Sequence, residues 1–153
     1  MNRLCAIDEL AQVPGPVVLA IGVFDGLHLG HRAVLERALQ TASSCQGTAV
    51  AVSFDPHPAT ILRPEQAPAL LTPTPLKLRL LERMGFTHTL LIPFDQEFAA
   101  TEADAFVHAL ARAARPLAAV CVGRNWSFGK GRQGNLTQLE RLGNTLHFSA
   151  MGV

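Results

Sequence analysis

Several residue types are scarce in this chain of 153 residues, and each scarcity excludes some classes of protein. The three cysteines are widely spaced and form no Cys-x-x-Cys pair, which excludes a disulfide framework and a zinc ribbon. Charged residues make up 16% with a formal net charge of +1, which argues against a nucleic-acid or membrane-surface binder. The most apolar stretch, residues 17–24, is too short to span a bilayer. We therefore expect a reduced, cytoplasmic protein.

Four near-continuous apolar runs, rich in β-branched residues, predict strands that are buried on both faces of a parallel sheet. They cover residues 17–23, 48–54, 87–94 and 117–123, and residues 145–151 are a candidate fifth strand. Amphipathic segments between these runs predict helices, which begin near residues 31, 74, 101 and 135. Strands that alternate with helices predict an α/β, doubly wound, Rossmann-like parallel sheet of about five strands.

Residue types at the helix ends predict how two of these helices begin. Thr74 followed by Pro75 is typical of a cap and a first helical position, and Gly85 is typical of a helix end. Thr101 and Asp104 resemble a capping box. The proline-rich residues 59–73 are interpreted either as a mobile flap over a site or as a plain linker.

The most informative stretch is residues 21–31, which predicts a buried strand, a tight glycine turn and His-x-Gly-His at a helix start. His28 and His31 would share one helix face, and both imidazoles can donate hydrogen bonds to a phosphate. Gly30 lets the backbone come close, and the helix start adds free N–H groups. The run therefore predicts a nucleoside triphosphate site. Two surface histidines without a ligand are the alternative, and a metal pair would lack a third ligand with suitable spacing.

Two further residues are candidates with more than one interpretation. Asp25 fits a turn residue that bonds its own backbone, with Gly26 supplying positive φ, or a residue that orients a histidine. His57 stands between two prolines after the second strand, so it forms either a rigid rim of the site or part of a strand terminator.

The second dense stretch, residues 123–134, contains the letters G-x-G-x-x-G. It lies late in the chain without a suitably spaced acidic residue after it, which excludes a dinucleotide-binding dehydrogenase. Lys130 and Arg132 beside the glycines predict a flexible, basic loop that faces an anion, with a plain solvated loop as the alternative. Trp126 and Phe128 would form a wall for a planar ring or pack beneath the loop.

The chain resembles the FMN adenylyltransferase (FAD synthetase) module of the bacterial bifunctional riboflavin kinase/FMN adenylyltransferases. The resemblance lies in the order and spacing of residues 22–31, 54–58 and 123–129. Residues 94–98 are similar to a further stretch of that family, and the resemblance covers about residues 17–142. It implies that FMN attacks the α-phosphorus of ATP, so that FAD forms and pyrophosphate leaves. It also implies Mg²⁺, whose ligands the sequence does not identify.

The resemblance also implies roles for individual residues. His28 and His31 would hold the ATP phosphates and stabilise developing charge, and Asn125 would contact phosphate or flavin. The remaining residues are expected to shape the nucleotide pocket and the site wall: Gly22, Phe24, Asp25, Gly30, His57, Trp126 and Phe128.

The family continues with a Ser-Ser-Thr-x-x-Arg-type motif that these residues do not contain. Residues 1–153 are therefore expected to form one FMN adenylyltransferase domain, truncated at its C-terminus and without the riboflavin kinase domain. Apolar surface exposed by the truncation would promote self-association. Two other hypotheses stay open: a sister nucleotidylyltransferase with another phosphate acceptor, and a non-catalytic nucleotide- or flavin-binding fragment.

Overall fold

A six-stranded, wholly parallel sheet forms the centre of the fold, as a computed structural model that describes residues 1–66, 69 and 72–153 shows. Its strands are β1 (Asn2–Leu4), β2 (Val17–Ile21), β3 (Thr48–Asp55), β4 (His88–Pro93), β5 (Leu117–Val122) and β6 (Ser149–Gly152). The helices are α1 (Leu29–Ser44), α2 (Pro58–Leu62), α3 (Thr74–Met84), α4 (Gln96–Ala99), α5 (Ala103–Ala113) and α6 (Leu136–Leu146). Short 3₁₀ helices occupy Ile7–Gln12, Pro64–Gln66 and Lys130–Arg132.

The central strand β2 divides the hydrophobic core into two layers. Val17, Leu19 and Ile21 face a layer that contains residues of α5 and α6, whereas Val18 and Ala20 face a layer that contains residues of α1 and α3. All five residues of this strand are buried. A strand that is covered on both faces needs apolar side chains at every position, which is why its sequence is continuous rather than alternating.

Small residues let α1 lie close to the sheet. The layer beneath this helix contains alanines from three adjacent strands and from the helix itself: Ala20, Ala38, Ala42, Ala49, Ala51 and Ala119. The opposite layer instead holds large side chains such as Phe106, Leu110 and Leu139. The layer on the α1 side is therefore richer in alanine than the opposite layer.

The strand order β1-β4-β3-β2-β5-β6 places a topological switch point between β2 and β5. The chain runs outward from β2 through β3 to β4 and then returns to β5 on the other side of β2. In open α/β sheets, ligands bind outside the carboxyl ends of the strands at such a point. The topology therefore predicts a binding crevice between the loops that follow β2 and β5.

The structure confirms the predicted doubly wound parallel sheet, with six strands rather than about five. The candidate fifth strand is present as β6, at Ser149–Gly152. The additional strand is β1, which has only three residues, of which Leu4 alone is buried. So short a segment carries no periodicity that could distinguish it from a loop.

Two predicted helix starts are wrong in detail. Thr74 is the first residue of α3 rather than its cap, and Pro73 at the cap position offers no side-chain hydrogen bond. In α5 the cap is Glu102, again without a side-chain bond, so Thr101 and Asp104 form no capping box. The predicted end at Gly85 is confirmed, since this residue adopts a left-handed conformation with φ of 114°.

The predicted connection at residues 59–73 is partly helical. It includes most of α2 and the 3₁₀ helix at Pro64–Gln66. The choice between a flap and a linker depends in part on residues 67, 68, 70 and 71, which lie outside the described residues.

The three cysteines differ in their exposure to solvent. Cys121 is fully buried in β5, and desolvation raises the pKa of its thiol to about 11, which keeps it an unreactive apolar group. Cys5 and Cys45 are exposed free thiols. Within the part of the chain that the structure describes, every helix falls short of the length and apolarity that a membrane crossing requires.

Leu35 and Leu29 lie on the same helix, but their replacement by alanine should affect the free energy of unfolding very differently. Leu35 is fully buried in the layer beneath α1, so we expect Leu35→Ala to lower the free energy of unfolding by roughly 2–5 kcal/mol through cavity formation. Leu29 is 84% exposed, and Leu29→Ala should stay within about 0.5 kcal/mol of the parent. Urea denaturation measures both. Equal losses would contradict the packing described for α1.

Candidate active site

The candidate site lies at the carboxyl edge of the sheet, where loops leave three neighbouring strands. Residues 22–28 follow β2, residues 56–57 follow β3, and residues 123–135 follow β5. All three carry motifs that the sequence singles out. The switch point thus brings together segments that are about one hundred residues apart in the chain.

His28 caps the start of α1 with its own ring. Its Nδ1 accepts hydrogen bonds from the backbone N–H groups of Gly30, at 3.1 Å, and of His31, at 3.3 Å. A neutral imidazole whose Nδ1 is an acceptor carries its proton on Nε2. The cap therefore fixes His28 as a donor through Nε2, which suits an anion held at a helix start.

His31 stacks on His28 and has an unused nitrogen. The two ring centroids are 3.6 Å apart with planes inclined by 21°, and Phe24 meets His31 edge-on at 5.6 Å. Among the described residues, no hydrogen-bond partner reaches the buried Nδ1 of His31. Burial lowers the pKa of His31, and the neighbouring His28 and Lys77 lower it further against the opposing charge of Asp25. The lowered pKa favours the neutral form of this ring.

The backbone between β2 and α1 is a strained turn. Phe24 has φ of 55° and Leu27 has φ of 43°, which is the left-handed region that non-glycine residues rarely occupy. Gly22 is required by crowding, because a Cβ at this position would lie 2.8 Å from the ring of Phe24. A Cβ on Gly30 would lie 3.1 Å from Cε1 of His28. Strain of this kind clusters at functional sites.

Asp25 joins this turn to the segment that precedes α3. Its Oδ1 accepts a hydrogen bond from the backbone N–H of Thr72 at 2.9 Å, and the N–H of Gly26 donates to Oγ1 of Thr72 at 3.0 Å. The partner shown for Asp25 lies 47 residues further along the chain. The negative charge of Asp25 also acts on His31, and both interpretations, a bond within its own turn and the orientation of a histidine, stay predictions.

A cavity of about 610 Å³ opens beside the turn. Six of its lining residues form a continuous chain of ring contacts, with centroid separations of 4.7–6.3 Å: Phe54, Phe94, Phe98, Phe106, Phe128 and Trp126. The rings of Trp126 and Phe128 are nearly parallel, inclined by 12°. Its size, and the wall of rings with polar groups at the edge, suit a planar heteroaromatic ligand.

Polar groups line this cavity from two sides. Asn125 and Arg132 line it from the loop after β5, and His57 and Arg63 line it from the α2 side. His57 caps α2 as His28 caps α1, since its Nδ1 accepts from the N–H of Ala59 at 3.0 Å. Its proton is thereby also assigned to Nε2.

The loop after β5 is closed by its own backbone. Phe128 and Gly134 exchange two backbone hydrogen bonds of 3.1 and 2.8 Å, and the N–H of Lys130 donates to the carbonyl of Thr101 at 2.9 Å. Gly129 has φ of 78°, and a Cβ there would lie 2.6 Å from Ala103. The loop is therefore an anchored structure, which differs from the flexible loop that the sequence suggests, and it fixes the Trp126–Phe128 pair.

The residues predicted from the sequence thus fall into two adjacent groups. His57, Asn125, Trp126 and Phe128 line the aromatic cavity. The other group surrounds the start of α1 and holds Gly22, Phe24, Asp25, His28, Gly30 and His31. Val23 lines the cavity and lies within the turn, so it connects the two groups.

Sequence reasoning misses several residues of the site. Arg63 and Phe106 lie outside the predicted motifs, whereas Phe54, Phe94 and Phe98 lie within them but are not assigned to the wall from the sequence. Lys77 is also missed, although its ammonium group contacts the turn. The available signal for Lys77 is its spacing of four from Leu81, which places a charged residue on the buried face of α3.

The comparisons with known proteins agree with this geometry. A family model described as FAD synthetase matches residues 10–153. The bifunctional riboflavin kinase/FMN adenylyltransferase of Escherichia coli strain K12 is 34% identical over 144 residues, which are 94% of this chain and 46% of that protein. The protein of the same name from Listeria monocytogenes is 32% identical over 125 residues, 81% of this chain and 40% of its own length. The chain spans less than half the length of these two curated relatives.

One similar solved structure is described as a macrolide-efflux protein from Streptococcus pneumoniae. It has a TM-score of 0.79 and 23% sequence identity, and the match covers all of this chain and 50% of that one. At this level of identity, the similarity supports the fold alone.

Removal of the His28 ring is expected to affect the start of α1. His28→Ala deletes the acceptor for two backbone N–H groups and should lower the free energy of unfolding by about 1 kcal/mol. His28→Asn supplies a good capping oxygen, so its stability should be close to that of the parent. Thermal and urea denaturation compare the two variants. Equal destabilisation by both would contradict the capping role of the ring.

The lowered pKa of His31 predicts a pH-dependent contribution to stability. Below the ordinary value of 6.5 the unfolded chain binds a proton that the folded chain resists. The contribution of His31 to the free energy of unfolding should therefore fall as the pH decreases from 6.5 to the lowered pKa. Below that pKa this contribution should change no further. His31→Asn lacks this contribution. Urea denaturation between about pH 5 and 8 tests it, and a stability difference between parent and variant that is constant with pH would contradict it.

Proposed function

Because the chain belongs to the FAD synthetase family, we propose that it transfers the adenylyl group of ATP to FMN. A phosphate oxygen of FMN attacks the α-phosphorus of ATP, the bond to the β-phosphate breaks, and the products are FAD and pyrophosphate. Such an in-line displacement needs positioning and charge stabilisation more than covalent chemistry. The observation that carries the proposal is the aromatic cavity that adjoins the two-histidine helix start through Val23.

The start of α1 is proposed as the triphosphate subsite. His28 would donate from Nε2, because its Nδ1 is engaged in the cap. His31 would contribute its ring beside that of His28, on which it stacks. The helix N-terminus adds a positive dipole end. Together these groups would bind charge on the phosphates and stabilise its increase on the departing pyrophosphate.

The aromatic cavity is proposed as the flavin subsite. An isoalloxazine ring would lie against the face of Trp126 that Phe128 does not cover, because these two rings stack on each other. His57 would contribute to the wall, and Asn125 would contact flavin or phosphate. Gly22, Phe24, Asp25 and Gly30 would shape the nucleotide side, in keeping with their places around the turn.

Magnesium is proposed to arrive with ATP. The described residues contain no cluster of three His, Cys, Asp or Glu side chains that could hold a metal ion by themselves. Mg²⁺ is commonly bound through one or two carboxylates together with substrate phosphates and water. A site that offers mainly phosphate-binding groups fits this mode, in which the ion would neutralise charge on the triphosphate.

Two other functions are outcomes of the same test. A sister nucleotidylyltransferase would use an acceptor such as a pantetheine phosphate or nicotinate mononucleotide in place of FMN. A binding module would take up FMN or ATP without turnover. The wall of six ring side chains favours FMN over an acceptor without a large ring system.

FAD formation from ATP, FMN and Mg²⁺, followed by chromatography, tests the proposal. We expect FAD and pyrophosphate in equal amounts, and a loss of about a hundredfold or more in kcat for His31→Asn, which removes a group that stabilises phosphate charge. Excess EDTA should abolish turnover. FAD formation at the background rate by the folded parent would contradict the catalytic proposal, and faster turnover with another acceptor would contradict FMN as the substrate.

Trp126 provides a separate measurement of binding, because it is the chain's only tryptophan. FMN stacked on its ring should quench its fluorescence, and Phe128→Ala should weaken that binding by removing the second parallel ring. Arg79→Ala, which alters an exposed residue of α3, is the matched control and should bind FMN as the parent does. Equal affinities for Phe128→Ala and the parent would argue against this cavity as the flavin subsite.

A further inference from the structure

Lys77 occupies a position in α3 where an apolar residue would be expected. Its side chain is 4% exposed, and among the buried residues that the structure describes it is the one with a full positive charge. One helical turn later, the fully buried Leu81 lies on the same face. A buried ammonium group loses its hydration, which is costly unless the protein uses the charge.

The ammonium group joins the carboxyl ends of β2 and β3. Nζ of Lys77 donates to the carbonyl of Val23 at 2.9 Å and to Oγ of Ser53 at 3.2 Å. Oγ of Ser53 also donates to the same Val23 carbonyl at 2.8 Å. The backbone of Val23 is therefore held by two groups from two different elements.

Val23 is the residue through which the two proposed subsites meet. Its side chain lines the aromatic cavity, and the next residue, Phe24, contacts the edge of the His31 ring. A shift of the Val23 carbonyl would thus move a wall of one subsite and the ring contact of the other. Thr72, just before α3, holds the same turn through Gly26 and Asp25.

We propose that Lys77 is a positioning residue for adenylyl transfer, whose ammonium group fixes Val23 so that the phosphate and flavin subsites keep a constant relative position. This inference rests on the proposed function. Reacting groups must be aligned closely for an in-line displacement, and a misplacement of about 1 Å can reduce the rate on the order of a hundredfold. Lys77 therefore acts through the turn rather than through contact with the reacting atoms.

A positioning role and a purely structural role of Lys77 predict different results for a variant that removes its charge. A purely structural lysine would be needed for folding, whereas a positioning lysine would be needed for turnover. Desolvation lowers the pKa of Lys77, and the charges of Asp25 and Asp55 oppose this effect. A methionine of similar length would avoid the desolvation, and Ser53 would still satisfy the Val23 carbonyl. Replacement of buried ions by apolar groups of similar volume is often neutral or stabilising. We therefore expect Lys77→Met to remain folded and to lose turnover.

The first experiment compares Lys77→Met with Arg79→Met, which removes an exposed charge from the same helix. We expect Lys77→Met to keep the thermal midpoint of the parent within a few degrees and to reduce kcat roughly 10- to 100-fold with smaller changes in KM. Lys77→Arg should restore part of kcat, and Arg79→Met should match the parent. A folded Lys77→Met with parental kcat would overturn the proposal.

A second readout does not depend on turnover. Histidine NMR titration should show a higher pKa for His31 in Lys77→Met, because a positive charge that lowers it is removed while His28 and Asp25 remain. His31→Asn identifies the resonance. If the parent forms no FAD, the proposed function fails, whereas a raised pKa of His31 would still support the coupling of Lys77 to the site. An unmoved His31 titration would overturn that coupling.

Ser53→Ala keeps the test decisive should Lys77→Met fail to fold. This variant retains the lysine charge and removes one of the two groups that hold the Val23 carbonyl. We expect a several-fold loss of kcat with the His31 titration unchanged. A stable Ser53→Ala variant with parental kcat would overturn the proposal that the hydrogen bonds among Lys77, Ser53 and Val23 position the site.

Discussion

The burial of β2 on both faces is the constraint on which the rest of the structure depends. The strand pairs with β3 on one edge and with β5 on the other, and all its side chains are buried. The chain can therefore leave it only at its ends, and the turn at its carboxyl end must accommodate positive φ at Phe24 before α1 begins. The site follows from this geometry, because a fully buried strand fixes one end of a turn that has positive φ at Phe24 and Leu27.

Two helices in this fold start with a histidine as the capping residue. His28 and His57 each use Nδ1 to accept backbone N–H groups, a role more often filled by serine, threonine, aspartate or asparagine. A short polar cap would satisfy the backbone and leave nothing for a ligand. An imidazole satisfies the backbone with one nitrogen and presents the other outward, so that one side chain serves both stability and binding.

The sequence predicts the framework well because its central strands are long and apolar throughout, as residues 48–54 illustrate. It also places His28 at a helix start, because a glycine turn and a His-x-Gly-His motif follow a buried strand there. It misses β1, where only Leu4 is buried, and it misses the role of Lys77. Helical periodicity assigns a lysine to the solvent by default, and only the three-dimensional contacts show a lysine whose partners belong to two other elements. The sequence points to Trp126 and Phe128 as a ring wall, but it does not show that four phenylalanines from other segments of the chain complete this wall.

The alanine layer beneath α1 has a mechanical consequence. This helix has 16 residues, so it extends about 24 Å from the site toward the opposite edge of the sheet. Ala38 is fully buried in this layer, roughly 15 Å along the helix axis from His28. A bulkier side chain at that point would tilt the helix and displace its first turn. Substitutions far from the proposed phosphate subsite would then displace it by moving the start of α1.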